Sequence, residues 1–506
     1  MKPALGDDMN KNRIIFFIFL AIFLIFSSCI DNNKNTLLEL RYGFTTEPTT
    51  LDPLNPRNTA DGRSILFNVF EGLVKPNTDG TLSPCIGESW VIEQDGLIYD
   101  FIIRENVLFH DGTIVTVQDV KFSLDTAIAA GLNGLGNIDE VIIKSDNEIR
   151  IILKTKDPGF LPFLTIAIVK SENTDRENNI IGTGPYFIES YTPQIDLVLK
   201  KFNDYWQKGL PHLEKITIVF FANSDTMIVA LRGGSIDGAS ITGSMAAQLN
   251  KNDFDIFDNS SAGIHLMALN NTASPFNDIR VRQAVNYGID VQEIIDAAFF
   301  GHGTPSGSPV IPGLSVYYYS ILEYSYNPDL ARSLLSQAGY NNSNRLSFEI
   351  AVPSNYAMHI DTAQVIKSQL ERIDINVNIK LVDWSTWLSE VYSAKNYQAT
   401  IITLDSHTVS PRGFLARYRS DSSGNFINFF NTDYDSVYDA ALSHTDHVTR
   451  INLYKEAQQI ILRNAASVYL QDILYFTALR GGKFGGVLDY PIYIIDFASI
   501  HSTREK

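Results

Sequence analysis

The chain is poor in cysteine and in positive charge. Only Cys29 and Cys85 occur among its 506 residues, which excludes a disulfide framework, a four-cysteine zinc site and a thioredoxin-like pair. Lysine and arginine number 40 against 57 acidic residues, for a formal net charge of −17. A surface with this charge repels phosphate backbones and anionic lipid, so we expect no nucleic-acid partner.

Charged residues are also few, at 19% of the chain, while hydrophobic residues make up 45%. This balance excludes a disordered chain and a protein with many membrane spans. A chain of this length can bury large cores, and we expect two or three domains.

One apolar run stands out near the N-terminus. Basic residues precede the apolar stretch 14–26, which is followed by two serines and Cys29. The stretch is shorter than the ~20 apolar residues of a spanning helix, and this order is that of a secretory signal peptide. Small residues before a cysteine resemble a bacterial lipobox. We therefore expect removal of residues 1–28, diacylglycerol on Cys29 and a polar tether at 29–35; an uncleaved or non-lipidated leader is the alternative.

Short β-branched or aromatic runs alternate with helix-period segments, which predicts a mixed α/β fold with large sheets. We predict strands, from branched and aromatic residues, at 97–104, 148–154 and 216–221. We predict helix starts at Asp278, at Asp290 with Glu293 in a capping-box pattern, and at Asn327 followed by Pro328. Gly339 is the predicted stop of the last of these helices.

The sequence carries no familiar catalytic set. It has no G-x-S-x-G elbow, no H-E-x-x-H helix and no Walker-type loop, and the glycine-rich stretch 182–186 lacks the lysine of a phosphate cradle. His444 and His447 flank Asp446, a spacing that suits a helix start at least as well as a metal site. The Asp-Gly pair within 110–112 is more typical of a turn than of a catalytic site. We therefore expect no enzyme, no cofactor and no metal.

The stretch 88–123 is informative as a whole. It contains Glu-Ser-Trp at 88–90, Phe-His-Asp-Gly at 109–112 and Asp-Val-Lys-Phe-Ser at 119–123. It closely resembles the signature of the family 5 bacterial extracellular solute-binding proteins, the oligopeptide, dipeptide and nickel type receptors of ABC importers. The likeness continues in the family's order through motifs at 46–48, 51–53, 182–186, 203–206, 230–237, 269–272, 275–276, 280–284 and 327–331.

The resemblance implies the α/β, two-lobe fold of periplasmic binding proteins, with a hinge and an extra subdomain in the first lobe. Such lobes close over a ligand. The expected chain crossings lie near 265–269 and 474–477. The expected divisions are lobe I at 36–264 and 474–506, its subdomain at about 57–180, and lobe II at 265–473.

The resemblance also implies a ligand site between the lobes. In peptide-binding relatives an aspartate, in a Gly-Trp-x-x-Asp motif a few residues before a proline, holds the ligand's α-amino group. Aligned on Pro411 and on Trp384 upstream, this sequence has His407 at the aspartate position and Leu404 at the tryptophan position. Both signature residues are missing. If the segment is extended, Asp405 points the same way as His407 and can supply the displaced carboxylate.

A second interpretation of this segment remains open. His407 with Arg412, Arg417 and Arg419 makes it cationic, which would favour a carboxylate or another anionic ligand group. Trp384 can add flat apolar area to the site. The predicted ligand-binding residues are Thr46, Glu47, Trp384, Asp405, Ser406, His407 and Arg412, of which Thr46 and Glu47 come from the resemblance alone.

The family resemblance, together with the predicted lipoprotein leader, implies a non-enzymatic, lipid-anchored receptor of the bacterial cell envelope, on its periplasmic or extracytoplasmic side. We expect it to act as a monomer that captures short peptides and delivers them to the membrane subunits of an ABC permease. Because the aspartate motif is missing, a metallophore, an oligosaccharide or an anionic metabolite remains the alternative ligand. From a different class, an exported hydrolase or chaperone could use the same scaffold.

Overall fold

The computed structural model describes residues 39–503, except residues 133, 322 and 407 and the side chains of 258–262. The predicted signal peptide, the tether with Cys29, and His407 lie outside the described residues. Within 39–503, none of the helices combines the length and the apolar character needed to cross a membrane.

The strands of the described chain fall into four sheets. They are β1 (Glu39–Phe44), β2 (Val74–Pro76), β3 (Leu82–Pro84), β4 (Gly87–Glu93), β5 (Ile98–Ile103), β6 (Ile138–Ile143), β7 (Glu148–Leu153), β8 (Tyr186–Thr192), β9 (Asp196–Lys201), β10 (Lys215–Phe220), β11 (Gly238–Thr242), β12 (Phe254–Leu269), β13 (Thr304–Pro305), β14 (Ser347–Pro353), β15 (Asn376–Val382), β16 (Ala399–Leu404), β17 (Ser467–Arg480), β18 (Phe484–Gly485) and β19 (His501–Ser502).

The helices lie between these strands. They are α1 (Ala60–Leu66), α2 (Val117–Ala129), α3 (Ser224–Gly233), α4 (Gly243–Ala246), α5 (Ile279–Tyr287), α6 (Val291–Phe299), α7 (Pro328–Gln337), α8 (Ala357–Glu371), α9 (Trp384–Thr386), α10 (Arg412–Leu415), α11 (Thr432–Ser443) and α12 (His447–Arg463). A π-helical turn, Trp387–Ser393, follows α9, and 3₁₀ turns occur at Leu135–Asn137, Leu161–Thr165 and Ala416–Tyr418.

The three predicted strands and the three predicted helix starts are confirmed. The three predicted strands are β5, β7 and β10, and Asp278, Asp290 and Asn327 each cap the helix that follows by accepting a backbone N–H. Glu293 differs from the capping-box expectation, because its carboxylate binds the Arg372 guanidinium at 2.6 Å instead.

One mixed sheet runs through most of the molecule, in the order β15-β14-β16-β12-β17-β11-β1-β10-β9-β8, with β13 paired to β17. The strand β1 pairs in parallel with both β10 and β11, so the described chain begins in the middle of the sheet. A separate antiparallel sheet, β4-β5-β7-β6, shares a hydrophobic core with α2 and β1.

Two long antiparallel strands, β12 and β17, join the two halves of this sheet. Toward one end β17 pairs with β11, and toward the other end β12 pairs with β16. Their ladder is irregular between Asn259 and Gly263. Gly263 has a φ of +137°, and a Cβ there would lie 2.4 Å from the carbonyl oxygen of Leu404, so only glycine suits this close approach.

The end of the chain packs on the first half of the sheet. The Asn68 side chain accepts a hydrogen bond from the backbone N–H of Phe497 and donates one to the carbonyl of Ile495, both at 2.8 Å. Separate hydrophobic clusters fill the half that contains β14, β15 and β16. The molecule is therefore built around more than one core, with β12 and β17 between them.

Candidate functional site

A cavity of about 720 Å³ lies where the two halves of the sheet meet. Its lining comes from both sides of the long strands: residues within 53–85, 131–132, 163–167 and 185 on one side, within 356–359, 384 and 402–417 on the other, and Gly263, Ile311, Ile473, Tyr475 and 492–494. The volume lies within the ~300–1,000 Å³ that is common for small-ligand sites.

An ion pair joins the facing walls. Thr59 caps α1 and so orients the helix that carries Arg63, whose guanidinium donates to the carbonyl of Asn58 at 2.7 Å. Its Nη2 lies 3.7 Å from Oδ2 of Asp405, just after the end of β16. The two side chains are 36% and 47% exposed, and a pair this accessible is worth only ~0–1 kcal/mol, so a ligand can separate it at little cost.

Arg417 approaches Asp405 from the same side of the cavity, the one lined by residues within 402–417. Its Nη2 donates to the carbonyl oxygen of Asp405 at 3.0 Å, and its Nε donates to that of Gly413 at 3.1 Å. Both acceptors are neutral backbone groups. Among the described residues, the charged groups here include Asp405, Arg417 and, from the facing wall, Arg63.

Asp61 lies beside Arg63 on α1. The hydroxyl of Tyr493, which lines the cavity, donates to Oδ1 of Asp61 at 2.7 Å. Burial raises the pKa of Asp61 to about 6, although hydrogen bonds from Tyr493 and Thr46 and the charge of Arg63 act in the opposite direction. The carboxyl group of Asp61 is thus partly protonated in the weakly acidic range.

Aromatic side chains form another part of the cavity wall. Trp384 and Tyr356 line it, each 38% exposed, and their rings meet edge to face at 5.8 Å. Behind them Trp387 is buried, stacks on Trp384 at 5.0 Å and donates its Nε1–H to Thr400 at 2.9 Å. The buried indole fixes the orientation of the accessible one, which presents a flat apolar face to a ligand.

A histidine pair connects the cavity wall to β12. His359 lines the cavity, and its Nδ1 lies 3.2 Å from Nε2 of the fully buried His265. Burial lowers the pKa of His359 to about 4 and that of His265 well below its usual value. Both imidazoles are therefore neutral near pH 7.

The buried acidic residue Glu71 also lines the cavity. Glu71 accepts hydrogen bonds from the Tyr205 hydroxyl at 2.8 Å and from the Trp206 indole at 3.0 Å. Cys85 donates to the same carboxylate at 3.4 Å, and burial raises the pKa of its thiol. Because a protonated thiol is a poor nucleophile, Cys85 behaves as a small buried side chain.

A family model for "Bacterial extracellular solute-binding proteins, family 5 Middle" matches residues 81–426, more than half of the chain. The chain belongs to this family. The glutathione-binding protein GsiB of Salmonella paratyphi A is 27% identical to this family 5 protein over 441 residues, covering 82% of this chain and 85% of the relative.

Solved structures show the same fold. The binding protein AgaA of A. tumefaciens R10, solved with agropinic acid, is 26% identical with a TM-score of 0.76, over 92% of this chain and 99% of AgaA. CtaP of Listeria monocytogenes, a substrate-binding protein of an ABC transporter, has a TM-score of 0.83 at 22% identity, covering 92% of this chain and 99% of CtaP. The predicted two-lobe α/β fold of periplasmic binding proteins is thereby confirmed.

Three of the sequence-predicted site residues of this family 5 protein lie in the cavity wall: Trp384, Asp405 and Ser406. The strand β16 ends at Leu404, so Asp405 reaches the cavity from the loop after the strand rather than from an extended segment. The hydroxyl of Ser406 donates to the carbonyl of Thr408 at 3.0 Å and shapes this loop.

Three other predicted residues have partners elsewhere, outside the residues that line the cavity. Glu47 accepts from the Tyr191 hydroxyl at 3.1 Å and from a backbone N–H at 2.8 Å, and Thr46 hydrogen-bonds to Asp61. Arg412 makes a buried ion pair with Asp157 at 2.5 Å. In the described residues, no group of three or more metal-ligating side chains occurs.

Sequence reasoning missed Arg63, Tyr356 and Tyr493, which all line the cavity. Arg63 lies four residues after the helix cap Thr59, but no local sequence pattern indicates that its side chain faces a cavity. These residues come together only when distant segments of the chain fold against one another.

Proposed function

We propose that this family 5 protein is an extracytoplasmic receptor that captures short peptides and delivers them to an ABC permease. The observation that carries the proposal is the Arg63–Asp405 pair, in which opposite charges from the two walls of a cavity of about 720 Å³ meet at 3.7 Å. A peptide brings an ammonium and a carboxylate, and each needs an opposite charge when it leaves water.

In this proposal the ligand's α-ammonium replaces Arg63 as the partner of Asp405. The pair is accessible to solvent, so the exchange costs little. The rings of Trp384 and Tyr356 offer apolar contact to side chains of different sequence. The similarity to the glutathione-binding protein GsiB supports a ligand of this size and class.

We further propose that the chain divides into two lobes. Lobe I comprises residues 36–264 and 474–506, with a subdomain at about 57–180, and lobe II comprises residues 265–473. The lobes would move relative to each other about a hinge in β12 and β17. The change of strand partners along β12 and β17 supports a hinge there. Ligand binding shifts such a receptor toward its closed form only as far as the ligand prefers that form. The lipid anchor at Cys29 and a monomeric state belong to the same proposal.

The test is native mass spectrometry of the chain that begins after Cys29, followed by denaturation and identification of any released molecule. A set of short peptides supports the proposal. A single non-peptide mass overturns it in favour of another small solute, and peptide hydrolysis by the purified protein would overturn the receptor role.

Asp405 is tested with a peptide and its N-acetylated form. We expect Asp405→Ala to weaken binding of the free peptide at least tenfold and to leave the weak binding of the acetylated form unchanged. Asp433→Ala, at an exposed position on α11, is the matched control. Equal losses for the two peptides would exclude Asp405 as the ammonium site.

A further inference from the structure

One face of α1 lines the cavity. Ala60, Arg63 and Phe67 contribute to the wall at intervals of three and four residues, and helical hydrogen bonds continue past the end of α1 as far as Phe70. Residues at this spacing lie on the same side of a helix. Arg63, which pairs with Asp405 at 3.7 Å, is therefore followed one turn later by an apolar ring, that of Phe67.

The ring of Phe67 is held in place by its neighbours. The Tyr490 ring meets it edge to face with the ring centres 5.9 Å apart, and Lys75 Nζ lies 4.8 Å from its centre. Phe67 is partly exposed. It packs against a hydrophobic cluster that contributes further residues to the cavity wall, Ile311, Phe414, Ile492 and Ile494. We call this part of the cavity, formed by Phe67 and these four residues, the apolar end.

The titratable groups beside the apolar end have partners within the protein. Glu71 accepts hydrogen bonds from Tyr205 and Trp206, and Lys75 Nζ lies 3.5 Å from Oδ2 of the buried Asp496. A ligand charge placed here would lose its water without gaining a free opposite charge, which is costly. The apolar end therefore favours an uncharged, apolar group of the ligand.

The helix sets the distance between the charged pair and the apolar end. Four residues of an α-helix span ~6 Å, so Arg63 and Phe67 are separated by this distance along the axis of α1. In an extended peptide the Cα of the third residue lies ~7 Å beyond that of the first, and the first and third side chains share a face that the second does not. A ligand whose ammonium binds Asp405 thus brings its third side chain to the level of Phe67.

We propose that the peptide lies along α1, with its ammonium on Asp405 and the apolar side chain of its third residue against Phe67 in the apolar end. The proposal rests on the receptor function proposed above and adds a sequence requirement to it. Phe67 is then a specificity-determining residue, and the receptor selects peptides whose third residue is bulky and aliphatic or aromatic.

The experiment compares three isomeric peptides, Ala-Ala-Leu-Ala, Ala-Leu-Ala-Ala and Leu-Ala-Ala-Ala, by isothermal titration calorimetry with the chain that begins after Cys29. The isomers share length, composition and terminal charges, and they differ only in the position of leucine. Burial of the three additional carbon atoms of leucine relative to alanine is worth up to roughly fiftyfold in affinity, so we expect Ala-Ala-Leu-Ala to bind about tenfold or more tightly than either isomer.

Variants of Phe67 test the source of this preference. Phe67→Gln should reduce it to about twofold or less, because the apolar surface is lost. Phe67→Leu stays apolar and should retain most of it. Phe430→Gln is the matched control, since it removes the same ring at a position that is 61% exposed and outside the residues that line the cavity; the preference should stay intact.

The comparison on the unmodified protein decides the question even where Phe67→Gln does not fold. Equal binding of the three isomers, tighter binding with leucine in the first or second position, or a preference that survives Phe67→Gln would overturn the inference while the peptide-receptor function stands. Failure of all three peptides, with a non-peptide released in native mass spectrometry, would instead overturn the proposed function.

Discussion

Replacing Asp157 by asparagine should destabilise the protein strongly. Arg412 Nη1 lies 2.5 Å from Asp157 Oδ2, and the two side chains are only 16% and 4% exposed. The guanidinium also lies 4.7 Å from the centre of the Phe163 ring. Burial disfavours the charged form of Arg412, but Asp157 offsets this effect and the pKa of the guanidinium is raised. Without Asp157 a cation remains buried without its anion.

Breaking a buried ion pair by removing one partner costs about 3–5 kcal/mol. We expect losses of this size for Asp157→Asn and for Arg412→Met. Asp157→Asn/Arg412→Met should lose less than the two single variants added together, because it leaves no uncompensated charge. Urea denaturation, monitored by tryptophan fluorescence, measures the free energy of unfolding of the two single variants and the double variant.

The control is an exposed pair of similar length. Lys200 and Glu189 lie 2.8 Å apart with side chains 52% and 41% exposed, so Glu189→Gln should change the free energy of unfolding by only ~0–1 kcal/mol. A loss below about 1 kcal/mol for Asp157→Asn would refute the argument from burial. If Arg412→Met folds with unchanged stability but loses affinity for an anionic ligand, the ligand-binding role that the sequence predicted for Arg412 would be supported instead.

Three further predictions concern the cavity and its supports. The pKa of Asp61 is about 6 against the ordinary 3.8, so folding favours its protonated form and the unmodified protein loses stability as the pH rises from 4 to 7. Asp61→Asn has no such proton to lose, so its free energy of unfolding should rise relative to that of the unmodified protein over this range. A difference in the free energy of unfolding that does not depend on pH would contradict this. Asn68→Ala should cost about 2 kcal/mol or more by leaving two buried backbone groups without partners, a loss that urea denaturation would show. Trp384→Ala should weaken peptide binding roughly tenfold in calorimetry, and unchanged affinity would exclude stacking at this ring.

The sequence predicted the features that depend on near neighbours along the chain. Asp278, Asp290 and Asn327 cap their helices because a side-chain oxygen reaches a backbone N–H two or three residues on. The strands β5, β7 and β10 follow from runs of branched and aromatic residues. The family follows from many short motifs in a fixed order, each of which is weak alone.

The division of roles among the charged residues needed the tertiary structure. Arg412 and Arg417 lie five positions apart in one cationic segment, and the sequence offers no means to tell them apart. Asp157, from a distant part of the chain, pairs with Arg412, whereas Arg417 binds backbone carbonyls beside the cavity. The composition and local pattern of the chain determine which elements form and to which family it belongs. Which charges remain available for a ligand is decided only when distant segments meet, because the partner that satisfies a charge is chosen by distance in space.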